Sequence, residues 1–128
     1  RDPGLTDTGI FRSEQLANWF QGKGIREIWS SDYRRSRDTA APLLSRLGLE
    51  LTLYDPRDLP ALTRKLLEQR NNALVVGHSN TTPELARLFC GCVISDMDDS
   101  EYDRLIVITV NDGEKRVETL IQSTLFLP

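Results

Sequence analysis

Apolar residues in this chain switch repeatedly between helical spacing and short continuous runs, and that alternation restricts the fold more than any other feature. Leu5-Thr6-Asp7-Thr8-Gly9 reads as a helix entry with Thr6 or Asp7 as the cap. Ile10, Leu16, Trp19 and Phe20 follow at near-helical intervals until Gly22 and Gly24. Residues 25–29 read as a strand centred on Ile28 and Trp29. Ser30-Ser31-Asp32 then opens a helix over 33–47 with Ala40, Leu43, Leu44 and Leu47 as its inner stripe, and Gly48 closes it. A strand over 49–53, a turn-rich loop over 54–58, and a helix over 59–70 with Leu62, Leu66 and Leu67 inward come next. Residues 73–77 form a strand and 82–89 a helix. An irregular acidic loop spans 91–103, and strands over 105–110 and 116–126 flank the hairpin turn Asn111-Asp112-Gly113. Such an order implies a three-layer α/β/α domain with a mainly parallel sheet and an antiparallel edge from the C-terminal hairpin.

The 128 residues amount to a single domain, 1–128, with 39% hydrophobic and 27% charged residues and neither a repeat nor a linker. A net charge of -3 argues against a nucleic-acid partner. No apolar run approaches the ~20 residues that span a membrane. The chain opens on Arg1, not methionine, as would a processed or truncated product or one whose leading residues are not shown. Cys90 and Cys92 are the only cysteines. One intervening residue should hold their Cα atoms at a strained separation for a bridge, and zinc needs about four ligands, so two partly buried free thiols are expected. The run Asp96 to Asp103 lacks the glycine and distant glutamate of an EF-hand loop, so a solvated turn is expected and no metal site.

In open parallel sheets, ligands bind beyond the carboxyl ends of the strands. The loops leaving those ends, over 30–35, 54–58 and 77–81, carry arginines, aspartates, hydroxyls and His78, the only histidine in the chain. Leu74-Val75-Val76-Gly77-His78-Ser79-Asn80-Thr81-Thr82-Pro83 places that imidazole at a strand-to-helix turn, beside free helix N–H groups. Ser79, Asn80 or Thr81 can cap the helix that follows. By itself this leaves His78 as a phosphate ligand, a general acid or base, or a satisfied core histidine. Arg34, Arg35 and Arg37 lie in one helical turn. At about 100° per residue they cannot share a direction. Arg35 is assigned to the cleft with the other two flanking it. The competing reading is a solvated basic face with Arg34 paired to Asp38. A guanidinium suits phosphate because its fork donates two parallel hydrogen bonds.

Leu5-Thr6-x-x-Gly9, then Ser30-Ser31-x-x-x-Arg35-x-x-x-Thr39-Ala40, then Gly77-His78-Ser79-Asn80-Thr81, resemble in order and spacing the histidine phosphatase superfamily, which includes the phosphoglycerate mutases. Tyr54-Asp-Pro-Arg-Asp-Leu59 and Glu101-Tyr-Asp-Arg-Leu105 resemble a small bacterial branch that is often exported, which implies a periplasmic location. The resemblance implies a phosphoglycerate mutase-like fold and no cofactor. A histidine attacks phosphorus in that family, with a second histidine and two arginines around the transferring group. By position, His78 matches the second histidine and Arg35 the second arginine. Ser31 and Asn80 support the phosphate by location. Asp55 and Asp58 occupy the loop that often supplies the proton donor.

One part of the pattern is missing. The nucleophile's Arg-His motif and the strand before it should precede the Leu-Thr-x-x-Gly helix, and Arg1-Asp2-Pro3-Gly4 does not supply them. The expectation is an upstream strand and loop of roughly 10–25 residues. Without them the chain cannot run the family reaction. Three activities are then weighed for the complete protein: a phosphohydrolase working through phosphohistidine, a non-catalytic phosphate binder, and a mutase. Short connections favour hydrolysis over the mutase, whose relatives carry longer insertions. The expected partners are a small phosphorylated substrate or a phosphoprotein, and inorganic phosphate.

Overall fold

A computed structural model describes residues 3–98, 100–101 and 104–122. Thr6 caps α1 (Asp7–Phe20), its hydroxyl accepting from the Gly9 N–H at 3.2 Å. The chain continues through β1 (Glu27–Ser30), α2 (Arg34–Leu47), β2 (Leu51–Leu53), α3 (Leu59–Gln69), β3 (Ala73–Val76), α4 (Thr82–Cys90), β4 (Arg104–Asn111) and β5 (Glu114–Ile121). Asp58 caps α3 by accepting from the Ala61 N–H.

β1 lies between β2 and β3, parallel to both, with Ile28 in register with Leu51 and Leu74. The step from β1 to β2 crosses the sheet one way, and the step from β2 to β3 returns past β1. Right-handed crossovers therefore put α2 and α3 on opposite faces. Neighbouring residues of β1 serve those two faces. Ile28 joins Leu16, Ala17 and Phe20 of α1, Ala40 and Leu43 of α2, and Leu74 in the main core. Trp29 turns the other way, toward the layer that buries Leu59, Leu62 and Ala86. Ile28 is fully buried at the centre of the sheet. Ile28→Ala should therefore cost about 2–5 kcal/mol, a large share of the roughly 5–15 kcal/mol of a typical domain. Urea unfolding at constant m-value checks it.

Several expectations need correction. The hairpin does not extend the parallel sheet. Among the described residues β4 pairs only with β5, and β3 pairs only with β1. Leu105 still packs against the main core, so side-chain burial docks the hairpin without a shared ladder. Its turn is the expected two-residue one, with positive φ at Asp112 and Gly113. The strand ends at Ile121, and residues 123–126 of the expected strand fall outside the described residues. Ile10 and Leu67 face solvent, as the inner stripes of α1 and α3 are narrower than their periodicity implies.

Cys90 and Cys92 are bridged, not free. α4 ends at Cys90, and Gly91 takes a left-handed conformation (φ 64°) that folds the chain back. The Cα atoms come within 5.2 Å of each other, inside the ordinary disulfide range. The acidic loop is largely exposed, as a solvated turn would be, and two arginines tie it to the body of the domain. Arg87 pairs with Asp96 and donates to the Ile94 carbonyl at 2.8 Å. Arg104 donates to the carbonyls of Ser95 and Asp96 and to the Glu101 carboxylate. Asp98 accepts from the N–H and hydroxyl of Ser100, bonds that hold its carboxyl below the usual range. No acidic, histidine or cysteine cluster suited to a metal occurs among the described residues. Asp99, Tyr102 and Asp103, which complete the loop and one resemblance motif, are outside the described set.

Candidate phosphate site

His78 leaves β3 through Gly77 and enters a tight turn before α4. Thr81 N–H and Thr82 N–H both donate to the His78 carbonyl, at 3.1 and 2.8 Å. Thr81 occupies the cap position, but its hydroxyl accepts from the His78 N–H at 3.1 Å instead of bonding a helix amide. That arrangement fixes the histidine backbone and leaves the first amides of α4 without the side-chain cap the sequence suggested.

The imidazole meets the loop after β1. Its Nε2 lies 2.7 Å from the Ser31 hydroxyl, which donates to Ser36 Oγ at 3.1 Å. Ser31 is wholly buried and Ser36 nearly so. With its proton given to Ser36, Ser31 accepts from Nε2–H, and Nδ1 is the nitrogen free for a ligand. The Tyr33 ring stands edge-on to the imidazole, centroids 5.0 Å apart. Burial lowers the His78 pKa, and the positive charge of Arg35 lowers it further. The two residues therefore lie close enough for the arginine's charge to act on the ring.

The three arginines of the first turn of α2 divide as their angular spacing requires. Arg34 pairs with Asp38 at 3.7 Å and Arg37 pairs with Asp32. Arg35 is exposed and its guanidinium has neither ion pair nor hydrogen bond among the described residues. Asn80 is exposed in the turn after His78. Of the two aspartates in the loop after β2, Asp55 pairs with Arg57 at 3.1 Å, and hydrogen bonds from Arg57 hold its carboxyl below the usual range. Asp58 is the cap of α3. Both are engaged as acceptors here.

Tyr33 and Ser36 also adjoin His78 and Ser31, and sequence reasoning passed over them; Thr81 was read only as a cap and Tyr54 only as a turn residue. Tyr33 and Ser36 follow Ser31 closely in the chain, but nothing in their spacing shows which way they turn. A cleft lined by residues including Glu27, Trp29, Glu50 and Lys65 lies on the α3 face toward the amino ends of the strands, away from His78.

The depressed pKa makes a prediction about stability. Between the folded value and the ordinary value of about 6.5, the unfolded chain binds a proton that folded His78 does not. Stability should be full above that window and fall as the pH drops through it. Denaturant unfolding between pH 5 and 8 (roughly the histidine range) checks this, and His78→Asn should flatten the curve.

Residues 1–56 match the family model of the histidine phosphatase superfamily (branch 1). A comparison with curated protein sequences found no significant match. Solved structures do match in fold. A mycobacterial hydrolase superposes with a TM-score of 0.69 at 14% identity, over 94% of this chain and 86% of its own. A mycobacterial glucosyl-3-phosphoglycerate phosphatase, in complex with inorganic phosphate, gives 0.68 at 14% identity over 91% and 86%. A mutant phosphoserine phosphatase from Entamoeba histolytica, in complex with phosphoserine, gives 0.68 at 12% identity over 100% and 88%. Over residues 1–56 the chain matches the histidine phosphatase superfamily, and the fold of the whole is similar to that of these phosphatase structures.

Proposed function

We propose that this site receives the phosphoryl group of a phosphomonoester between His78 and Arg35, and that the complete protein hydrolyses it through a phosphorylated histidine. The observation that carries the reading is the division of the arginines. Two are committed to aspartates, while Arg35 has its donors free and its charge acts on His78. A fork of N–H donors can hold two phosphoryl oxygens, and a protonated Nδ1 can hold a third. Ser31 keeps the ring oriented from behind, through Nε2.

His78 is the only histidine of residues 1–128, so this reading needs a second histidine as the nucleophile. The outer edge of β3, unpaired among the described residues, supports a place for its strand beside the His78 loop. A histidine nitrogen there would attack phosphorus in line. The P–O bond to the alcohol breaks, and the alkoxide leaves with a proton. Water then attacks the phosphohistidine, breaking the P–N bond and releasing inorganic phosphate. His78 is the group placed to hand over that proton, since Asp55 and Asp58 are engaged elsewhere. The substrate class is a small phosphorylated metabolite or a phosphoprotein.

Calorimetric titration of this chain with inorganic phosphate, and hydrolysis of p-nitrophenyl phosphate by a protein carrying the upstream histidine, test the reading. Binding and hydrolysis are expected. Binding with no hydrolysis in the longer protein would turn the assignment to a phosphate-binding relative, and no phosphate binding would overturn it.

A further inference from the structure

Tyr54 follows β2 and reaches across the end of β1. Its backbone N–H donates to the carbonyl of Ser30, the last residue of β1, at 3.0 Å. Its hydroxyl donates to the carbonyl of Val76, the last residue of β3, at 3.0 Å. One residue thus grips the final carbonyls of the two strands whose next turns deliver Ser31 and His78. Those two side chains must meet at 2.7 Å.

The contact is also steric. A Cβ at Gly77 would lie 2.9 Å from the Tyr54 hydroxyl oxygen and 3.0 Å from Thr82 Oγ1, so a side chain there would push the tyrosine hydroxyl from its place. Glycine lets the tyrosine and the threonine pair close on the backbone just before the histidine. Burial pushes the Tyr54 pKa up to about 12, so the hydroxyl stays a donor throughout the neutral range.

We propose that Tyr54 is a positioning residue, a strap across the carboxyl ends of the sheet that holds His78 in register with Ser31. This rests on the phosphate-site reading above, but its test does not need activity. His78 is the only histidine, so its ring protons report the site without assignment ambiguity.

Tyr54→Phe in this chain removes the hydroxyl and keeps the ring. The His78 titration, followed by proton NMR, should move up toward the ordinary histidine value as the turn loosens and the ring gains water. Inorganic phosphate should bind about three- to ten-fold more weakly, the expected effect of losing one buried hydrogen bond. Gly77→Ala should disturb the same resonances. It should do so less in the Tyr54→Phe background, where the closest clashing atom is gone, giving a non-additive cycle. A lower melting temperature with an unmoved His78 titration would reduce Tyr54 to a structural residue and overturn the proposal. A moved titration in a protein that binds no phosphate would leave the strap standing and remove the phosphate reading.

Discussion

His78→Ala should lower phosphatase turnover in the nucleophile-bearing protein by roughly 10²–10⁴-fold, the span of a positioned acid–base group. Its effect on stability should be small. The imidazole is only half buried, and its hydrogen-bond partner Ser31 keeps a second partner in Ser36. Removing the ring therefore strands no buried hydroxyl, and a loss of about 1–2 kcal/mol is the most to expect. A core histidine would behave in the opposite way, with stability and turnover falling together. Turnover assays alongside thermal melts separate the two. Ser31→Ala should give a milder form of the same defect, since it frees Nε2 and lets the ring turn.

Arg35→Lys should weaken phosphate binding and kcat/KM by about 10–100-fold, the worth of charged hydrogen bonds lost from a bidentate contact. The charge is kept, so a purely electrostatic role predicts little change. The neighbouring Arg34 and Arg37 supply the control. Both are turned to aspartates and already paired. Either of them changed to lysine should alter phosphate affinity by less than about three-fold, because exposed pairs of this kind are worth about 0–1 kcal/mol. Equal losses at all three positions would mean a diffuse basic surface with no specific fork.

Much of the architecture was legible because local signals and tertiary packing agree. Thr6 supplies a cap where a cap is needed, and Ile28 and Trp29 divide two faces as strand alternation requires. The helix–strand order, joined to the handedness of crossovers, yields a parallel sheet with helices on both sides. Ser31 and His78 come together because two adjacent parallel strands end side by side, and the positive charge of Arg35 reaches His78 from the start of α2. This is a consequence of topology that chain order already contains.

The rest depended on side-chain directions that spacing does not encode. Thr81 sits at the cap position, yet its hydroxyl turns back to His78. Asp55 pairs with Arg57, two residues on, a contact that the loop's composition does not show. The cysteine bridge hinged on the left-handed turn at Gly91, which a rule about one-residue spacing leaves out. The hairpin's separation from the sheet was hidden as well, because the periodicity of β4 is the same whether or not a parallel neighbour pairs with it. Tyr54 read as a turn residue, and only its reach across β1 reveals the contact with Val76.

The most direct measurement is an NMR titration of the single imidazole, without and with saturating inorganic phosphate. Alone, His78 should titrate below the ordinary histidine value, for burial and Arg35 both oppose its charge. With phosphate bound beside it, the anion favours the imidazolium and the titration should move upward. In Arg35→Lys the upward movement should need about 10–100-fold more phosphate. A titration that phosphate leaves unchanged at any concentration would contradict a phosphoryl site built on His78 and Arg35.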